Sequence, residues 1–201
     1  YILIMINRIH ALILAAGESK RFGSPKQLAM CGATTLLGHS IRIARKILAD
    51  RVVVVLGAHA QLIRDSLAEP AIRIVENKNW QTGLASSICC GIQALPSSCT
   101  AVLILLCDQP RLNEDMVRLL VDAWMENPSR IIASQYHNNV GVPAVFPAYY
   151  FPELLMLKGD TGARHLLRHY QDHVQLIAMP EAGVDIDYTA DLAALNEQPA
   201  S

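Results

Sequence analysis

Charge is scarce in this sequence: Asp, Glu, Lys and Arg make up 17% of its 201 residues, and the formal net charge is −1. That balance excludes a protein that reads nucleic acid through a broad basic surface. It leaves room for a small anionic substrate, which a few clustered cations can hold locally. No Cys-x-x-Cys pair occurs among Cys31, Cys89, Cys90, Cys99 and Cys107. Their odd number and core-like spacing match a reducing cytoplasm rather than a disulfide framework. No apolar run is long enough to cross a bilayer, because the first, Tyr1–Ile6, stops at Asn7 and Arg8. No charged n-region or small-residue cleavage site marks a signal peptide. Repeats, low-complexity tracts and polar linkers are also absent. One domain over residues 5–198 is therefore expected, with residues 1–4 an extension ahead of a natural start at Met5.

What the sequence has in quantity is aliphatic material: 52% of residues are hydrophobic. The apolar segments are short and bounded by glycine or polar turns, as strands buried on both faces are. Strands are expected at Ile9–Ala15, Arg51–Leu56, Ile72–Val75, Ala101–Leu106, Ile131–Gln135, Ala144–Phe146 and Val174–Ile177. Helical spacing is expected over Thr35–Ile47, Ala58–Leu67, Thr82–Leu95, Asn113–Glu126, Gly162–Tyr170 and Thr189–Leu195. Thr34 or Thr35 caps the first of these helices and Asn113 the fourth. Alternation of this kind predicts an α/β chain, a three-layer α/β/α arrangement around a mostly parallel twisted sheet. Ligands of such sheets sit at the carboxyl ends of the strands.

Two motifs fall at those ends. The loop after Ile9–Ala15 runs Ala16-Gly17-Glu18-Ser19-Lys20-Arg21-Phe22-Gly23-Ser24-Pro25-Lys26. Its small residues allow close approach to the backbone, its amides favour an anion, and Arg21 and Lys26 add two cations. That combination suits a triphosphate, and the plain alternative is an ordinary loop with solvated cations. It is neither a Walker loop nor the Gly-x-Gly-x-x-Gly fingerprint. The second motif is Cys107-Asp108-Gln109-Pro110, where Asp108 offers a hard oxygen to magnesium or simply forms a turn before Pro110.

The order Leu-Ala-Ala-Gly-x-Ser-x-Arg-Phe-Gly-x-Pro-Lys-Gln-Leu over Leu14–Leu28 is far more specific. It resembles the signature of the MobA-like nucleotidyltransferases, and within them the molybdenum cofactor cytidylyltransferase family. Five further segments match in order: Val53–Gly57, Asn77–Ser87, Cys107–Pro110, Gly159–Arg164 and Asp185–Asp187. The resemblance implies a Rossmann-like nucleotidyltransferase fold and a Mg²⁺-dependent enzyme. Such an enzyme moves CMP from CTP to a molybdopterin-type phosphate and releases pyrophosphate. A sugar or alditol phosphate as acceptor is one alternative. A non-catalytic accessory protein delivering nucleotide or cofactor to a molybdenum hydroxylase apoenzyme is another.

By the same resemblance, Leu14, Ala15, Ala16 and Gly17 would lie against the nucleotide. Arg21 would meet the outer phosphates and Lys26 the α-phosphate, with Asp108 on the metal. Asn77, Gly83 and Ser87 would border the nucleotide, Ser86 competing with Ser87 for that place. Asp160 and Arg164 would face the acceptor, although residues four apart can also pair with each other. Asp185 and Asp187 alternate on a strand-like segment, so one of them faces the cleft; the resemblance favours Asp187 as a second metal contact. Ala16, where guanylyl-transferring relatives carry glycine, favours CTP. Gly141-Val142-Pro143 replaces a common Gly-Asn-Pro, a departure that bears on the acceptor. His165, His169 and His173 are spaced as a zinc site would be, but no carboxylate or cysteine completes it. Trp80 and Trp124 read as packing residues.

Overall fold

The computed structural model describes residues 8–67 and 72–196. The apolar run at Tyr1–Ile6 and the extension over residues 1–4 lie outside the described residues.

Seven strands form one twisted sheet. They are β1 Ile9–Ala15, β4 Val52–Leu56, β5 Arg73–Glu76, β6 Ala101–Leu106, β7 Ile131–Tyr136, β8 Asn139–Pro147 and β9 Val174–Ala178. Met30–Cys31 (β2) and Thr34–Thr35 (β3) make a small separate hairpin. The order across the sheet is β5-β4-β1-β6-β8-β7-β9, with only β8 antiparallel to its neighbours. The chain moves outward from β1 through β4 to β5, then returns to β6 on the other side of β1. That reversal opens a crevice at the carboxyl ends of β1 and β6.

Side-chain alternation divides the core into two layers. Ile9, Ala11, Ile13 and Ala15 of β1 face helices α1 (Leu36–Leu48), α2 (Ala60–Ser66) and α4 (Glu114–Glu126), where Ile41, Ile63 and Trp124 are buried. Leu12 and Leu14 face α3 (Leu84–Gln93), α5 (Phe151–Leu155) and α6 (Arg164–His169). A last helix, α7, spans Thr189–Asn196. The expected α/β/α architecture is the observed one. Thr35, not Thr34, caps α1, accepting from the Gly38 amide at 3.0 Å, and Asn113 caps α4 through the Met116 amide at 3.0 Å.

Three expectations need correction. The helix predicted over Thr82–Leu95 starts at Leu84, because Gly83 takes φ +107°, a backbone state that ends the preceding turn. It stops at Gln93, short of Pro96, whose ring disfavours helix in the residue before it. The strand predicted at Ala144–Phe146 spans Asn139–Pro147. Gly141 and Pro143 disguise it, and they are tolerated because the pairing with β7 slips between Ala133 and Ser134. Ser134 donates its hydroxyl to the Pro143 carbonyl at 2.7 Å across that irregularity. Finally, Asp185–Asp187 is no strand; it is a segment pinned to the turn after β6 by the Ile186 amide, which donates to the Asp108 carbonyl at 2.9 Å.

Candidate active site

The crevice at the ends of β1 and β6 holds an open cavity of about 430 Å³. Leu14, Ala15, Ala16, Gly17, Arg21, Lys26, Gly83, Ser87, Asp108, Asp160 and Asp187 all line it. Residues up to 173 positions apart in the chain (Leu14 and Asp187) therefore share one wall.

The loop after β1 is shaped from beneath. Pro25, with φ −59°, leads into a short turn, Lys26–Leu28, that sends Gln27 inward and Lys26 toward the cavity. Gln27 is fully buried. Its Nε2 donates to the carbonyls of Ala15 (3.0 Å) and Gly17 (2.8 Å), and its Oε1 accepts from the Ser19 hydroxyl at 3.3 Å. Ser19 in turn accepts from the Lys26 amide at 3.2 Å. With its carbonyls drawn inward, the loop keeps an open surface toward the cavity. Gly17 shows this directly: a Cβ built there meets nothing within 4 Å, and its φ is not left-handed. Gly17→Ala should therefore leave stability within roughly 0.5 kcal/mol of the parent. The added methyl would occupy open space at the loop surface, so a ligand that packs against this backbone should bind at least tenfold more weakly. Denaturant unfolding and calorimetric titration of the variant check the two halves separately.

Lys26 is the centre of the polar cluster. Its Nζ donates to Asp108 Oδ2 at 2.6 Å, to the Ile186 carbonyl at 2.9 Å and to Asp187 Oδ1 at 3.4 Å. Burial opposes its charge, but the charge and hydrogen bond of Asp108 outweigh burial and hold the lysine pKa above its ordinary value. Arg21 reaches the same carboxylate, with Nη1 2.9 Å from Asp187 Oδ2, and lies over the Tyr188 ring at 5.6 Å. Asp191 accepts from the Asp187 and Tyr188 amides at 2.9 and 2.8 Å, which fixes the segment that carries Asp187.

The other singled-out residues divide into lining and supporting groups. Ser87 lines the cavity and is buried, whereas Ser86 bonds back to the carbonyls of Gly83 (2.8 Å) and Asn79 (3.0 Å). Asn77 is buried behind them, donating to Ser86 at 2.8 Å and Ser87 at 3.0 Å while accepting from the Asn79 amide. It borders Ser87, not the cavity. Asp160 accepts from the Leu84 amide at 3.3 Å, at the start of α3. It forms no ion pair with Arg164, whose helix begins only at that residue. Trp80 borders the cavity while packing on the second core layer, and Trp124 is wholly core.

A second cavity, of about 240 Å³, adjoins the first and shares Leu14, Leu84, Leu106 and Asp160 with it. Arg164 and Asp185 line this second space. Asp187 and Asp185 thus serve two neighbouring cavities, where the alternation argument allowed one residue a place. Burial, followed by the nearby charge of Asp108, pushes the Asp185 carboxyl up to about 6, against the pull of Lys26.

Whether these residues suit a divalent cation can be tested on their donors. Asp108 Oδ1 is buried and has no hydrogen-bond partner among the described residues, so one hard oxygen stands free beside the one that holds Lys26. The first cavity is lined by four carboxylates, Glu18, Asp108, Asp160 and Asp187, against two cations, Arg21 and Lys26. A polyanionic ligand needs added positive charge to enter such a wall. No cluster of three or more His, Cys, Asp or Glu able to hold a metal alone occurs among the described residues. Two carboxylates completed by phosphate oxygens and water is the habit of magnesium rather than of a closed protein cage. The residues fit. The histidines of the zinc pattern do not gather: His165 and His169 lie on α6, and His173 lies in a turn beyond it.

All five cysteines are free thiols, and burial pushes Cys107, in the cavity wall, well above the usual thiol range. No helix among the described residues is long and apolar enough to cross a membrane.

Comparison with known proteins returns one consistent kinship. The profile of the MobA-like NTP transferase domain family matches residues 11–174. Nicotine blue oxidoreductase of Paenarthrobacter nicotinovorans is 33% identical over 191 residues, covering 89% of this chain and 92% of that protein. Purine catabolism protein PucB of Bacillus subtilis (strain 168) is 29% identical over 170 residues, 80% of each chain. Rv0371c of Mycobacterium tuberculosis H37Rv superposes with a TM-score of 0.82 at 29% identity, covering 96% of this chain and 100% of that one. The complex of that protein with manganese gives a TM-score of 0.79 at 28% identity, covering 95% and 99%.

Proposed function

The chain belongs to the MobA-like NTP transferase domain family, and from that premise we propose that it transfers CMP from CTP to the phosphate of a molybdopterin-type acceptor, releasing pyrophosphate. The observation that carries the reading is the convergence of Lys26, Arg21, Asp108 and Asp187 on one cavity floored by the Ala15–Gly17 loop.

In this mechanism an acceptor phosphate oxygen attacks the α-phosphorus in line. The bond from that phosphorus to the bridging oxygen breaks, and pyrophosphate leaves with the electron pair. A phosphate nucleophile is already ionised near neutral pH, so no general base is required. Backbone amides of the Ala16–Gly17 loop orient phosphate oxygens. Arg21 offsets charge on the outer phosphates, and Lys26 offsets the charge that grows at the α-phosphate. Asp108 and Asp187 would hold Mg²⁺, which when bound polarises phosphoryl oxygens as a Lewis acid. Ser87, kept in place by Asn77, offers a hydroxyl at the entrance of α3. The preference for CTP rests on Ala16 and the resemblance it carries, and a reducing cytoplasm remains the compartment we propose.

A second reading draws on the 33%-identical relative, whose name is that of an oxidoreductase: the cleft would then bind its ligand for a redox step and transfer no nucleotidyl group. Pyrophosphate separates the two. In a thermal-shift panel of CTP, GTP, UTP, ATP and dTTP, a shift largest for CTP and dependent on Mg²⁺ is expected. Pyrophosphate should then appear only when a phosphorylated acceptor is added, and EDTA should abolish both signals. A larger shift with GTP would remove the argument from Ala16. Tight triphosphate binding with no pyrophosphate from molybdopterin or alditol phosphates would favour the redox enzyme or a carrier.

A further inference from the structure

Gln109 is buried, at 1% exposure, yet half of its amide is unused. Its Nε2 donates to the Ala182 carbonyl at 2.7 Å and the Val142 carbonyl at 3.2 Å, which fixes the orientation of the group. Its Oε1 is buried and has no hydrogen-bond partner among the described residues. A buried acceptor in that state is costly and calls for a donor. Gln109 lies in the wall of the second cavity, and so does Asp185. Neither residue lines the first cavity, where the nucleotide would bind. The second substrate must bring its nucleophile beside the α-phosphate, so it has to occupy space continuous with the first cavity. The second cavity meets that condition through its shared lining residues. Its remaining polar lining includes Thr161 and Arg164, and its inner wall is aliphatic.

We infer that Gln109 Oε1 and the Asp185 carboxylate together form an acceptor-selecting face that takes a phosphate ester whose far end carries N–H or O–H donors. This rests on the transferase reading above. The polarity is the informative part. Asp185 already accepts a hydrogen bond from the Gln109 side chain, which leaves Gln109 Oε1 and the remaining lone pairs of the carboxylate to be satisfied. Two acceptors in one wall disfavour an end group that offers only acceptors, and an apolar end leaves Oε1 unpaired. A ring bearing amino and lactam N–H groups satisfies the face, and so does a polyol.

The test is equilibrium binding by calorimetry. The full chain is saturated with Mg²⁺ and the α,β-methylene analogue of whichever triphosphate gives the largest thermal shift. A 2-amino-4-oxopteridine phosphate ester, a pentitol 5-phosphate and ethyl phosphate are then titrated in turn. At least one donor-bearing probe should bind ten times more tightly than ethyl phosphate, and which one does so distinguishes a ring from a polyol. Asp185→Asn and Gln109→Met should each weaken that probe at least tenfold and leave the nucleotide analogue's affinity unchanged. Should Gln109→Met not fold, the isosteric Asp185→Asn decides alone. Probes that bind no better than ethyl phosphate, or variants that bind like the parent, overturn the inference and leave the transferase reading standing. Failure of the nucleotide analogue to bind the parent protein overturns both.

Discussion

Lys26→Met is expected to lower kcat for pyrophosphate release by about 10²–10³-fold, the usual loss when one preorganised transition-state donor is removed. Triphosphate affinity should fall much less, because the loop amides and Arg21 remain. The reason lies in where the ammonium sits. It is 2.6 Å from Asp108 and 3.4 Å from Asp187, in a wall that is otherwise short of positive charge. Methionine reproduces the lysine stem up to the ammonium but brings no charge, so the variant removes the electrostatics while keeping most of the packing. It also leaves Asp108 with an unpaired, largely buried carboxylate. Breaking such a pair costs about 3–5 kcal/mol in a dry interior, and partial solvent access here brings the expected loss down to roughly 1–3 kcal/mol. Divalent cation should restore part of that stability, since Asp108 and Asp187 would then share a different counterion. Steady-state pyrophosphate assays and urea unfolding with and without Mg²⁺ make the measurement. Turnover equal to the parent's would remove Lys26 from the mechanism.

Gln27→Leu should be the most damaging substitution for the loop itself, with an expected stability loss of about 2–4 kcal/mol, two acceptors being stranded at about 1–3 kcal/mol each. Leucine fills a similar volume, so a cavity is not the cause. The carbonyls of Ala15 and Gly17 lose the donor they share, Gln27 Nε2, at 3.0 and 2.8 Å. Freed to turn, those peptides no longer present a fixed surface to a triphosphate, and the ligand-induced thermal shift should vanish. Gln27→Glu is the informative companion. It is nearly isosteric, but an ionised carboxylate only accepts, so it would face two carbonyls it cannot bond. Both variants lose stability, so the separation from Lys26 lies in the ligand: binding is lost at position 27, whereas at position 26 kcat falls while binding is largely kept. A variant at position 27 that is fully stable and binds normally would show that the loop holds its shape without the clamp.

Much of this site was legible because its chemistry is local. Glycine and alanine at 15–17, the cations Arg21 and Lys26, and a carboxylate directly after the aliphatic run Ala101–Leu106 each declare themselves within a few residues. Gln27 sits beside Lys26 in the same motif, but nothing in its neighbours marks it as structural. A glutamine in a polar loop ordinarily faces water, and only the turn over Lys26–Leu28 buries it. Gln109 was hidden for a similar reason, since the carbonyls it serves belong to Val142 and Ala182. The Ser86–Ser87 ambiguity was likewise irreducible from spacing, because adjacent hydroxyls at a helix start differ only in what surrounds them.

By itself, the sequence determined the elements and the sheet that could hold them. Runs such as Val52–Leu56 and Ala101–Leu106 can be stable only where both faces are covered, and hydrophobic burial makes that requirement independent of partners. Tertiary structure alone decided which polar groups meet. Lys26 finds Asp108 across 82 positions and Asp187 across 161. It also decided that Asp185 and Asp187 serve two adjoining cavities, and that β8 inserts antiparallel through Gly141 and Pro143. The physical reason is range. Burial of an apolar run depends on the run's own composition, whereas a hydrogen bond or ion pair acts over a few ångströms and exists only once the fold has brought both partners to that distance.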